Sequence, residues 1–186
     1  DMADAEDADA IFACLGAYQP VPQIEGVDGE NVFWSIAAYD HIPELGQNIV
    51  IIGGGMVGVE QALWLKRLGK NPVVVARHQL RDGGNHLHLQ AVRNEIKRIG
   101  LEVHEFYGTQ RICSDKVVCT DPDGKTVEFP ADSVVFATGM RPRTEEAMAL
   151  RECAPEFYPI ADCMIARDMC EAVTQAYMAA KNVGLV

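Results

Sequence analysis

The chain has 186 residues, 48% of them hydrophobic, which is ample for one substantial domain or two small ones with a packed core. Its formal net charge is −11 and its basic residues form no long run able to track a phosphodiester backbone, so nucleic acid is not expected as a partner. No apolar stretch approaches the roughly 18 residues that span a bilayer, and the N-terminus lacks the basic-then-apolar order of a signal peptide. A cytoplasmic protein with no membrane partner is the expectation.

In chain order, an acidic start gives way to Ile11-Phe12-Ala13-Cys14-Leu15 and then Gly16-Ala17, which reads as a short buried strand ending in a turn. Pro20, Pro22, Gly26 and Gly29 then predict a connector between domains rather than a packed element, with a boundary near residue 45. Ile49-Val50-Ile51-Ile52 is an unbroken β-branched run, the pattern of a parallel strand covered on both faces. Glycines follow, then a helix over Met56 to Leu68 that Gly69 is placed to end. Val73-Val74-Val75 is the next strand. Leu89, Val92, Ile96 and Ile99 recur at three- and four-residue steps, which predicts a second helix from about Asn85 to Ile99, and Leu101 to Phe106 a third strand.

Beyond it the period shortens to alternation. Lys116 to Thr120 and Thr126 to Phe129 flank Asp121-Pro122-Asp123-Gly124, a hairpin composition that puts a small antiparallel layer where the next helix would stand. Ser133 to Ala137 returns to a buried strand closed by Thr138-Gly139, and Arg167 to Lys181 is helical. The predicted class is α/β: a Rossmann-like parallel sheet with an antiparallel β-meander crossover.

Gly53-Gly54-Gly55-Met56-Val57-Gly58 satisfies G-x-G-x-x-G between a strand and a helix. In that context Gly53 permits a tight turn, Gly55 lets the backbone approach a pyrophosphate, and Gly58 lets the helix pack on its strand. Amides at the helix N-terminus favour the anionic diphosphate. A glycine turn serving packing alone is the other reading. Where NAD-specific proteins place a carboxylate at the end of the second strand, this chain has Ala76, followed by Arg77, His78 and Arg81. Cationic donors there suit a ribose 2′-phosphate and hence NADPH over NADH, the alternative being ordinary solvated charges.

The six cysteines form no C-x-x-C pair and read as free thiols, Cys163 as a buried small hydrophobe and Cys170 as a helix residue. His86 and His88 have no third ligand in view and read as polar helix surface, so no metal is expected. No general acid–base or nucleophilic constellation is legible.

Taken in order, Ile11 to Ala17, Gly53 to Glu60 and Val135-Phe136-Ala137-Thr138-Gly139-Met140-Arg141-Pro142 resemble the pyridine-nucleotide half of flavoproteins with two dinucleotide-binding domains. Within them the chain is similar to the C-terminal region of the 2,4-dienoyl-CoA reductase and trimethylamine dehydrogenase group. The resemblance implies residues 1–45 as the end of a first FAD-domain segment with its connector, 46–142 as the NADPH-binding domain and 143–186 as a returning FAD-domain segment. It implies Glu60 beside the nicotinamide, Arg77-His78 as the adenine-phosphate pair, Thr138-Gly139 as cofactor contacts, and Asp162 of Pro159-Ile160-Ala161-Asp162-Cys163 on FAD. Ala161 stands where that group has glycine, which opposes FAD contact; a cap or loop role for Asp162 is the alternative.

The same resemblance implies a fragment, inactive alone, of a parent that passes hydride from NADPH to FAD and electrons through an iron–sulfur cluster to FMN and an unsaturated substrate. Its partners would be the FMN barrel, the cluster and the first half of the FAD domain. Apolar residues around 11–17 and 160–180 would be uncovered, which predicts self-association. A segment of an NADH oxidase or disulfide reductase, and a non-catalytic nucleotide-binding module, are the competing readings.

Overall fold

Alternation along a strand decides which face each side chain covers. In Ile49 to Ile52 four consecutive residues are buried, which requires cover on both sides of the sheet. A computed structural model describes residues 8–81 and 86–185 and supplies both covers.

The described residues open with β1 (Ala10–Ala13), β2 (Ala17–Tyr18), β3 (Val32–Trp34), β4 (Asn48–Ile52), α1 (Met56–Arg67) and β5 (Asn71–Ala76). Next come α2 (His86–Ile99), β6 (Glu102–Glu105), β7 (Gly108–Ile112), β8 (Lys116–Thr120), β9 (Thr126–Pro130) and β10 (Ser133–Phe136). The last are β11 (Arg141–Pro142), α3 (Thr144–Met148), β12 (Glu156–Pro159) and α4 (Met169–Asn182). Asn85, the expected start of the second helix, lies outside the described residues. One compact unit runs from Val21 to Gly139; the other joins the chain up to Pro20 with the chain from Met140 onward.

In the Val21–Gly139 unit the strands lie in the order β3-β10-β4-β5-β6, every neighbouring pair parallel. Ile51 is in register with Val135 on one side and Val74 on the other. Ile49, Ile51, Val74 and Val135 pack with Val59, Leu63 and Leu65 of α1 and with Leu89 and Val92 of α2. Val50, Ile52, Val75 and Phe136 face the opposite way, onto Ile112, Val117, Cys119 and Phe129 of the antiparallel sheet β7-β8-β9. The architecture is therefore the predicted α/β one, with the meander replacing a crossover helix. Truncating a central side chain such as Ile51 to Ala would cost about 2–5 kcal/mol.

The β8–β9 turn follows from its residues. Asp121 Oδ1 accepts the amides of Asp123 at 3.0 Å and Lys125 at 2.8 Å.

The segment after Pro20 corrects the sequence expectation. Val32 to Trp34 enter the sheet as β3 beside β10, and Ala38 and Leu45 are buried in the helix-side core. What the prolines and glycines mark is an irregular but packed stretch, so the division falls between Pro20 and Val21 rather than near residue 45. The second division comes between Gly139 and Met140, ahead of the expected residue 142.

In the other unit β1 pairs with β12 in parallel and β2 with β11 antiparallel. β1 is less buried than its apolar run predicts: Ala13 is enclosed with Ala147 and Cys163, while Phe12 is 41% exposed and stacks on Tyr158. This small core encloses one side of the β1–β12 pair. α4 starts at Met169 rather than Arg167 because Asp168 caps it, its side chain accepting the Glu171 amide at 2.9 Å. No residue of α4 is buried. Among the described residues no helix is long and apolar enough to cross a membrane.

Candidate dinucleotide-binding site

Between Ile52 and Met56 the chain must turn from sheet to helix within three residues, all glycine. Gly53 has φ +133°, and a Cβ there would stand 2.2 Å from the Ala137 carbonyl oxygen. Its amide donates to the Val75 carbonyl at 2.9 Å, which ties the turn to β5. A Cβ on Gly54 would lie 2.7 Å from the Ala76 Cβ and 3.2 Å from Leu80 Cδ2. At Gly58 it would lie 2.7 Å from the Gly53 oxygen and 3.0 Å from the Ala137 Cβ, so the first turn of α1 is pressed onto the strand ends.

Gly55 is different. A Cβ there meets nothing within 4 Å. It is the N-cap of α1, and among the described residues no side chain caps it and no acidic residue stands in the first turn, at the positive end of the helix dipole. Val57 is 52% exposed beside it and Met56 is partly buried. A surface packed behind and open in front, lined by helix N-terminal amides, fits a diphosphate.

Arg77 and His78 follow β5 directly and are exposed, as is Arg81. The loop carrying them is fastened to the glycine turn, the Arg81 amide donating to the Gly54 carbonyl at 3.0 Å. Thr138 and Gly139 are exposed after β10, Gly139 with φ +101°, and the Thr138 nitrogen is 3.4 Å from where a Gly53 Cβ would be. Three loops thus converge at the carboxyl ends of β4, β5 and β10, the edge where open parallel sheets bind ligands.

Glu60, one helical turn beyond Met56, is held by α2: its Oε1 lies 2.8 Å from His88 Nε2. Partial burial and, second, the Glu60 charge push the Tyr39 phenol above its ordinary 10. His88 thus sits on a helix surface as expected, with an acidic partner the sequence did not disclose.

Residues 3–163 match the model of the pyridine nucleotide-disulphide oxidoreductase family. The chain belongs to that family.

Pyridine nucleotide-disulphide oxidoreductases are NAD(P)H-dependent flavoprotein oxidoreductases. Over 97% of its length the chain is 29% identical to the bilirubin reductase of Mediterraneibacter gnavus, covering 28% of that protein. Over 95% it is 28% identical to the cinnamate reductase of Clostridium sporogenes, covering 27% of it. A solved complex of 2-naphthoyl-CoA reductase with 2-naphthoyl-CoA superposes with a TM-score of 0.85 at 27% identity, over 96% of this chain and 27% of the other. The chain therefore spans less than a third of the length of these relatives.

Asp162, the residue that the resemblance assigns to FAD, belongs to the other unit of this pyridine nucleotide-disulphide oxidoreductase chain. Its Oδ1 accepts the Arg167 amide at 3.2 Å. Ala161 before it has φ +61°, the conformation that explains a glycine at this position, and its amide is held by Gln175 Oε1 at 2.7 Å. The Cys163 thiol is buried, its Sγ 3.1 Å from the carbonyl oxygens of both Ala13 and Ile160, either of which can accept its one proton, whereas Cys170 is exposed.

Sequence reasoning missed Glu105 and Leu80. Glu105 Oε1 accepts the Leu80 amide at 2.7 Å and the Arg93 guanidinium at 3.0 Å. The available signal was an acidic residue ending a strand that the parallel order sets beside β5.

Proposed function

We propose that the Val21–Gly139 unit binds NADPH. The diphosphate takes the amides at the start of α1, between Gly53 and Gly58, with Gly54 and Gly55 lining the approach and Met56 and Val57 supplying N–H groups. Arg77 and His78, with Arg81, hold the adenosine 2′-phosphate; Thr138, Gly139 and Glu60 serve the nicotinamide half. The observation that carries this reading is the contrast within the glycine turn: a Cβ would collide at Gly53, Gly54 and Gly58 and meet open space at Gly55. Packing needs alone do not call for a glycine at Gly55, whereas an approaching anion does.

Discrimination against NADH comes from charge-assisted hydrogen bonds to the extra phosphate, each worth about 1.5–3 kcal/mol, or roughly 10- to 150-fold in affinity. The chain's overall acidity does not oppose this, since screening over about 8 Å lets nearby arginines outweigh distant carboxylates. Bound nucleotide supplies a hydride; the chain's own groups orient it and neutralise its phosphates. Calorimetric titration tests the reading: NADPH binds and NADH binds more weakly. An absence of heat with both, from folded protein, refutes it.

The parent we propose is a multi-centre flavoprotein of the dienoyl-CoA reductase and trimethylamine dehydrogenase kind, carrying FAD, an iron–sulfur cluster and FMN and acting on an unsaturated substrate. Similarity to proteins named for the reduction of bilirubin, cinnamate and 2-naphthoyl-CoA, all conjugated compounds, supports that substrate class. The remainder of the parent is the proposed partner, with Asp162 contributing to its FAD. Exposed Phe12, Leu15, Met169, Val173 and Tyr177 are the surface it would cover, and self-association of the chain alone is the corollary. Light scattering that finds monomer at high concentration refutes the corollary.

A further inference from the structure

β5 ends in Ala76, which has no polar side chain to offer the nucleotide, and the register places Glu105, the last residue of β6, directly beside it. The Glu105 side chain is 25% exposed. One of its oxygens takes both the Leu80 amide, at 2.7 Å, and the Arg93 guanidinium, at 3.0 Å. Leu80 is anchored a second way, its side chain 6% exposed in the helix-side core. The next amide, of Arg81, reaches the Gly54 carbonyl at 3.0 Å. Ala76 is fixed at the other end, its carbonyl accepting the Tyr107 amide at 3.0 Å. The stretch bearing Arg77 and His78 is therefore strung between fixed points, and Glu105 provides one of them.

A carboxylate so close to a phosphate site is costly unless something answers its charge. Arg93 answers it, and the Leu80 amide takes up further acceptor capacity, so the group is held facing inward as a fastening. From these contacts we infer that Glu105 is a positioning residue for 2′-phosphate recognition. It acts through the Leu80 amide to keep the Arg77–Arg81 loop in its binding shape and does not itself touch nucleotide. The inference rests on the NADPH reading above. Its physical basis is preorganisation: a loop already held loses less freedom when the ligand arrives, and only the ligand bearing the extra phosphate draws on that loop.

NADPH and NADH are titrated into the wild-type chain and into Glu105→Ala, Glu105→Gln and Glu105→Asp. Releasing the loop in Glu105→Ala weakens NADPH about tenfold and leaves NADH within about twofold. Glu105→Gln keeps an acceptor for the Leu80 amide and retains NADPH affinity within about threefold. If the Ala variant does not fold, Glu105→Asp, with its carboxylate drawn back by one methylene, shows the same selective loss. Equal weakening of both nucleotides overturns the inference in favour of a purely structural role. So does a wild-type NADPH preference that survives both the Ala and the Asp changes. A wild-type chain that does not distinguish the two nucleotides overturns the NADPH reading itself, and this inference with it.

Discussion

Gly58 and Ala137 meet where α1 crosses the end of β10: a Cβ on Gly58 would stand 3.0 Å from the Ala137 Cβ and 2.7 Å from the Gly53 carbonyl oxygen. Gly58→Ala is therefore expected to lose about 1–3 kcal/mol through overpacking, more than the roughly 1 kcal/mol that alanine gains over glycine in a helix. Denaturant unfolding measures the difference.

Gly55→Ala should behave in the opposite way. The new methyl enters open space, so stability stays within about 0.5 kcal/mol, while affinity for NADPH and NADH falls together because both share the diphosphate. Paired melting and titration curves check this, and a destabilised variant with unchanged binding would contradict it.

Arg77→Ala separates the phosphates. NADPH should weaken by about 10- to 150-fold and NADH hardly at all, since Arg77 is assigned to the group that NADH lacks. An unchanged ratio of the two dissociation constants would dismiss the assignment.

What was legible in the sequence was local. Asn48 to Ala76 could be read almost residue by residue, because a β-branched run, three clustered glycines and a helix stop each declare themselves within a few positions. β3 could not: three residues carry no period, and what makes them a strand is pairing with β10, a hundred residues away. β7 was hidden for another reason, as the register shift between Thr109 and Arg111 breaks the alternation that would announce it. At the site, the glycines and exposed cations were read from their spacing. Glu105 was not, since its bond to Leu80 spans 25 positions and depends on the order of strands. Arg81 illustrates a further limit: the sequence displays its side chain, yet the contact the structure shows is made by its amide to Gly54.

Ala161 holds φ +61°, a conformation that costs a residue with a Cβ about 1–2 kcal/mol. Replacing it with glycine removes that strain but adds about 0.5–1 kcal/mol of unfolded-state entropy. Ala161→Gly should therefore raise stability modestly, by about 0.5–1 kcal/mol, seen as a higher melting temperature.

Glu95 receives the guanidinium groups of Arg98 and Arg67, which lower its carboxyl from the ordinary 4.5 to about 2. A depressed folded value means its contribution is complete above about pH 4.5 and disappears as pH falls through about 2. The melting-temperature gap between wild type and Glu95→Gln should be widest near neutrality and close over that interval; a gap constant down to pH 2 would contradict the pairing.

The most direct test is a crystal structure of the chain with NADPH. The diphosphate is expected on the amides that open α1, in front of Gly55, with the 2′-phosphate against Arg77 and His78. A nucleotide bound elsewhere, or an adenosine phosphate pointing away from the loop after β5, would contradict it.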